Sequence, residues 1–136
     1  MASERTPFSA RLAASLVERL KAAGTREGIS ASQVAERYID EGLRSEEFPG
    51  ITFRPGPAGR RAGLVGGPDV WEIVRDLRGA RAAGADDAVA LVAETSDLSE
   101  AQVRLASAYY AAYPDEIDER IAAEEALTER LLAGAA

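Results

Sequence analysis

The chain contains neither cysteine nor histidine. Lack of cysteine rules out disulfides, zinc–thiolate sites and a thiol nucleophile. Lack of histidine removes the commonest general base and the commonest metal ligand. No stretch approaches the ~20 consecutive apolar residues that cross a bilayer. No apolar leader follows Met1–Arg5, so neither a membrane span nor a signal peptide is expected. Cytoplasmic residence is the default expectation. With 46% hydrophobic and 29% charged residues, the composition is that of a globular chain. Its 136 residues suffice for one ordinary domain or two very small ones.

Positive charge is also scarce, and the net charge of −7 argues against nucleic-acid binding until it is resolved along the chain. Residues 1–47 hold seven basic and eight acidic side chains. Residues 48–82 hold six arginines against three acids, and residues 83–136 three arginines against twelve acids. The acidity is therefore concentrated in the last third, and the two ends are expected to meet different partners.

Residues 6–12 alternate with period two: Phe8, Ala10 and Leu12 on one face, Pro7, Ser9 and Arg11 on the other. This predicts a short half-buried strand, with Pro7 tolerable at its start or edge. A helical stripe of Leu12, Leu16, Val17, Leu20 and Ala23 follows, bracketed at its end by Gly24 and Gly28. Ser30 with Gln33 forms a capping box, and Ile29 with Val34 a hydrophobic staple, for a second helix through Tyr38, Ile39 and Leu43 to about residue 44. One strand and two short helices cannot bury an apolar face alone, and a lone strand has no ladder partner. Two copies pairing their strands would cure both defects.

Phe48-Pro49-Gly50 breaks the pattern and marks a boundary between residues 1–47 and 48–136. Ile51–Arg54 and Arg61–Val65 read as a hairpin around a Pro/Gly-rich tip. Gly66–Asp69 leads into a helix carrying Val70, Ile73, Val74 and Leu77. Residues 78–85 read as a loop. A short helix then runs from Asp86 or Asp87 through Val92, and Ser99 with Gln102 repeats the capping box. That next helix carries Val103, Ala106, Tyr109, Tyr110 and Tyr113. Pro114-Asp115 interrupts it, and a last acidic helix spans about 115–132. The expected fold is thus mainly α.

Residues 6–44 resemble the ribbon–helix–helix (Arc/CopG/MetJ-like) family. The resemblance implies an intertwined dimer whose paired strands enter the major groove of operator DNA. Carried onto this sequence, Ser9 and Arg11 face the bases, arginine being able to grip guanine bidentately, while Pro7 stands where a polar residue is usual. Gly28, Ser30 and Ser32 match the family's turn, which offers a helix N-terminus to a phosphate. The alternative for the same residues is a generic strand-and-helix fragment with Ser30 as a plain cap.

Val92–Ala106 has helix-turn-helix spacing, with Asp97 where glycine usually makes the turn. The would-be recognition helix offers Glu100, Gln102, Arg104 and Ser107, its one base offset by an acid, so a scaffold role is expected. Arg54, Arg60 and Arg61 on the hairpin fit a wing touching DNA, a clamp on an acidic protein surface, or a solvated turn. Residues 48–121, through Gly-Gly-Pro-Asp-Val-Trp-Glu and Tyr-Tyr-Ala-Ala-Tyr-Pro-Asp-Glu-Ile-Asp, resemble a winged-helix-like domain of antitoxins. Those antitoxins are often paired with PIN-like (VapC-type) ribonuclease toxins. The resemblance implies an antitoxin of a type II toxin–antitoxin system that represses its own transcription and holds its toxin through residues 48–136. Tyr109, Tyr110, Tyr113, Glu116 and Asp118 then become candidate toxin contacts, with core packing and a solvated acidic face as the alternatives. Asp86-Asp87 and Asp115–Glu119 are carboxylate clusters, but they stand at helix starts, where acids meet the helix dipole favourably. No nucleophile or phosphate loop accompanies them. No enzyme activity, metal or cofactor is expected. The alternatives to an antitoxin are a stand-alone dimeric repressor and a structural adaptor.

Overall fold

The computed structural model describes residues 4–135; residues 1–3, on which part of the no-leader reading falls, and residue 136 lie outside. Among the described residues the fold is mainly helical, with six helices and one two-stranded antiparallel sheet. No described helix is long and apolar enough to cross a membrane. The chain divides into two compact units, residues 1–42 and 43–136.

In the first unit, residues 4–13 carry no regular secondary structure and are exposed throughout, so the expected strand at 6–12 has no ladder partner among the described residues. Helix α1 (Ala14–Glu27) starts at Ala13, which offers no side-chain cap. It runs through Gly24 and stops at Gly28, whose φ of 72° places it in the left-handed region natural to glycine. Position 24 needs glycine because the chain doubles back against it: a Cβ there would sit 2.6 Å from the Ile29 carbonyl oxygen. Helix α2 (Ala31–Glu47) opens with the expected capping box, Ser30 Oγ accepting from Gln33 N–H at 3.0 Å and Gln33 Oε1 from Ser30 N–H at 2.9 Å. Arg37 clamps Glu27 across the junction with bonds of 3.0 and 2.8 Å, and Arg5 reaches Glu36 at 2.6 Å.

The second unit begins with the last turn of α2. Strands β1 (Ile51–Arg54) and β2 (Arg61–Leu64) pair Ile51 with Leu64 and Arg54 with Arg61. They are followed by α3 (Val70–Ala82), α4 (Ala88–Thr95), α5 (Glu100–Ala112) and α6 (Pro114–Gly134). Each turn carries a local signal. Asp87 accepts from Ala90 N–H to start α4, Ser99 and Gln102 cap α5, and Pro114 occupies the first turn of α6, where its missing N–H is not needed. Asp97 adopts φ 55° between α4 and α5, so the turn takes the left-handed conformation that glycine usually supplies.

The expected loop at 78–85 is half helix. Residues 78–82 continue α3 because Arg78, Ala80, Arg81 and Ala82 are good helix formers that outweigh one exposed glycine at 79, worth about 1 kcal/mol. The stop comes at Gly84 (φ 81°), with Gly84 N–H bonded to Arg81 O and Ala85 N–H to Ala80 O. Apolar residues from both strands and from α3 to α6 then close the core of this unit: Ile51 and Leu64 of the hairpin, Val70, Ile73, Val74 and Leu77 of α3, Val92, Val103, Tyr109, Ile117 and Ile121. Each fully buried aliphatic side chain of this set contributes roughly 1.5–3 kcal/mol.

Candidate functional site

Ser9 and Arg11 lie on the exposed N-terminal segment, and among the described residues Arg11 makes no ion pair. Ser30 and Ser32 stand exposed at the start of α2, with the Ser30 hydroxyl used by the capping box. This leaves the guanidinium of Arg11 open to an anionic ligand.

The hairpin arginines turn inward. Arg61 Nε donates to Asp69 Oδ2 at 2.5 Å, and Arg54 Nη2 lies 3.2 Å from Asp69 Oδ1. Trp71 Nε1 donates to the same Oδ2 at 3.2 Å, and Glu72 accepts from the Asp69 N–H at 2.9 Å. Asp69 is 8% exposed and gathers two guanidiniums that face each other across the strand pair. Like charges opposite one another repel, and the carboxylate between them offsets this. Glycine makes the room: a Cβ at Gly63 would collide with the Arg54 guanidinium, and one at Gly56 with that of Arg61. Arg60 donates to Phe53 O at 3.5 Å. The hairpin is therefore a braced corner leading into α3, and two of its three arginines are committed to that corner.

The five candidate contacts on α5 and α6 fall into two arginine–tyrosine–carboxylate networks. Tyr109 is fully buried, edge-on to Phe48 at 5.5 Å and tilted against Tyr113 at 4.9 Å. Its hydroxyl accepts from Arg44 Nη1 at 2.9 Å and donates to Glu116 at 3.2 Å, while Arg44 and Glu116 also pair directly. Burial pushes the Tyr109 hydroxyl well above the ordinary tyrosine range, against the pull of Arg44, so it stays a neutral donor. Arg44 lies 3.9 Å over the Tyr113 ring, and the Tyr113 hydroxyl donates to Glu47 at 3.2 Å. In the second network, Arg78 donates to the Tyr110 hydroxyl at 2.8 Å and pairs with Asp118, and Tyr110 donates to Asp118 at 2.8 Å. The Tyr110 and Arg78 bonds hold the Asp118 carboxyl below the usual aspartate range. Both networks pin the first two turns of α6 to the body of the second unit. Tyr109 has no surface to offer, whereas Tyr110, Tyr113, Glu116 and Asp118 keep partial exposure.

On α5, Arg104 lies 3.6 Å from Glu100 and Gln102 is used by the cap, so no cationic face forms. No three described carboxylates converge as a metal-binding group. Sequence reasoning did not single out Arg44, Asp69 or Arg78, because each acts on residues far along the chain or across a turn. For Asp69 a signal was present, in the Asp-x-x-Glu pattern of a capping box just ahead of Trp71 and Ile73.

No family model, curated protein or solved structure matches the chain.

Proposed function

We propose that the chain is an operator-binding antitoxin of a type II toxin–antitoxin pair. Residues 1–47 act as a ribbon–helix–helix dimerisation and DNA-binding arm, and residues 48–136 as a winged-helix-like unit that holds a PIN-like ribonuclease toxin. One observation carries the reading. The first unit buries little besides Ala23, Gly24 and Val34, while Phe8 is 86%, Leu12 47% and Ile39 57% exposed. A segment of alternating residues with an open backbone and an unpartnered apolar face calls for a second copy of itself. Strand pairing between copies would bury Phe8 and Leu12 and leave Ser9 and Arg11 on the opposite face, in groove-reading position. The committed hairpin arginines and the acid-balanced α5 support a protein-facing role for the second unit, since phosphate contacts need several free bases on one face.

The test combines native mass spectrometry with electrophoretic retardation of the DNA upstream of the chain's own gene. The wild type is expected as a dimer that retards this DNA and rescues growth when the adjacent reading frame's ribonuclease is induced. Arg11→Ala should keep the dimer and lose sequence-specific retardation. A monomer, or unchanged DNA binding by Arg11→Ala, refutes the arm; absence of any neutralised toxin refutes the antitoxin assignment and leaves the repressor.

A further inference from the structure

The distal half of α6 has surface that the rest of the second unit does not cover. Beyond Ile121, every described residue of the helix except Glu124 is exposed, including Leu131 at 66% and Leu132 at 69%. Ile121, Thr128 and Leu132, at i, i+7 and i+11, follow one stripe of the helix, with Leu131 beside it. Between this stripe and the start of α3 runs a groove of about 440 Å³, walled by Trp71 and floored by the buried Ile121. Glu124, Glu125 and Glu129 line it, with Arg75 held over the Trp71 ring at 5.1 Å. Glu124 is answered by Arg120 at 2.9 Å, whereas Glu125 and Glu129 have no in-chain cation among the described residues.

An apolar trough with an acidic rim selects its occupant by charge. DNA phosphates and anionic lipid headgroups are repelled by the rim, and a second copy's α6 would bring the same acids against it. Only a partner that is apolar on one side and cationic at its flanks satisfies both the stripe and the glutamates. We infer that this groove, extended along Leu131 and Leu132, is the docking surface for a cationic amphipathic helix of a partner protein. The inference rests on the reading that the second unit holds a protein, and it assigns that role to the distal half of α6 and not to the tyrosine networks at its start. Trp71 is the sole tryptophan, so its emission reports occupancy of the groove directly.

The experiment titrates the full-length protein with a dye-labelled synthetic helix of roughly 18 residues, leucine on one face and lysine on the other. Saturable anisotropy in the micromolar range is expected, with a matching change in Trp71 emission. A scramble of the same composition and a leucine–glutamate helix should both fail. E125K/E129K should weaken binding at least about tenfold, with the far-ultraviolet spectrum unchanged, as should Leu131→Ser/Leu132→Ser. Binding without a Trp71 response, equal binding of the scramble, or insensitivity to both double variants overturns the inference. If the peptide result holds but no adjacent-gene toxin is neutralised, the antitoxin reading falls and the groove stands. If both double variants neutralise such a toxin as well as the wild type does, the groove falls and the antitoxin reading stands.

Discussion

Removing one oxygen, in Tyr109→Phe, tests whether the buried network stabilises the second unit or merely fills space. The ring packing against Phe48, Phe53 and Tyr113 is kept, so the change isolates the hydroxyl. That hydroxyl makes two charge-assisted bonds, one from Arg44 and one to Glu116. Fully desolvated, each would be worth about 1.5–3 kcal/mol. The Arg44 and Glu116 side chains are 20% and 39% exposed and keep each other as partners, so water and the surviving ion pair recover part of the loss. The expected net cost is about 1.5 kcal/mol. With a urea slope of roughly 1.5 kcal/mol/M, the unfolding midpoint followed by Trp71 fluorescence should fall by about 1 M at unchanged slope. Tyr109→Ala, which also vacates the ring volume, should cost about 3–5 kcal/mol. An unchanged or raised midpoint for Tyr109→Phe would refute the argument. It would mean that desolvating the polar cluster costs as much as its hydrogen bonds return.

Three further outcomes follow from the same geometry. Asp118 titrates below its ordinary range in the folded chain, so its contribution is present above the ordinary aspartate pKa of about 3.9 and lost as pH falls through the lowered value. The midpoint difference between wild type and Asp118→Asn should therefore be widest near neutrality and close in acid; parallel curves would contradict this. Gly24→Ala pushes a Cβ against the Ile29 carbonyl and should cost a net of about 1–2 kcal/mol, whereas Gly42→Ala, with open space around it, should stabilise by up to ~1 kcal/mol; amide exchange at Val34 reads both signs. Asp97→Gly relieves a left-handed non-glycine residue and should raise the midpoint slightly, by about 0.5 kcal/mol, while Ser99→Ala removes the α5 cap and should lower it by about 1 kcal/mol; effects of equal sign would argue against the turn geometry.

What could be read in the sequence is what is decided within a few residues. The capping boxes at Ser30 and Ser99, the hairpin around Pro55–Gly59 and the stop at Gly28 each depend on neighbours no more than about four positions apart. The extension of α3 past Arg78 was illegible for a local reason as well. Gly79 looks like a breaker, and its single cost is overruled by the helix formers around it and by Ala80 packing on the core. The candidate residues fared differently according to reach. Tyr109 and Tyr110 share a helix face by their spacing, and Glu116 and Asp118 are named through the resemblance to the antitoxin domain. That they close on Arg44 and Arg78 depends on how the last turn of α2 packs with α3, α5 and α6 inside the second unit, which periodicity does not encode. Arg54 and Arg61 looked like free charge because Asp69, which pairs with both, lies across a turn and carries no marker of its partners.

Asp69 has a consequence for how such a sequence can change over time. One carboxylate serves the Arg54 and Arg61 guanidiniums and the Trp71 indole, and its backbone N–H is held by Glu72. Losing it alone would leave two adjacent cations half-buried, and losing either arginine alone would leave a buried acid with less than its complement. Drift at these positions cannot proceed one substitution at a time without passing through an unstable intermediate. Positions 54, 61 and 69 should therefore vary together in descendants of a common ancestor, retained as a set or replaced as a set, with small residues at 56 and 63 wherever the set is kept.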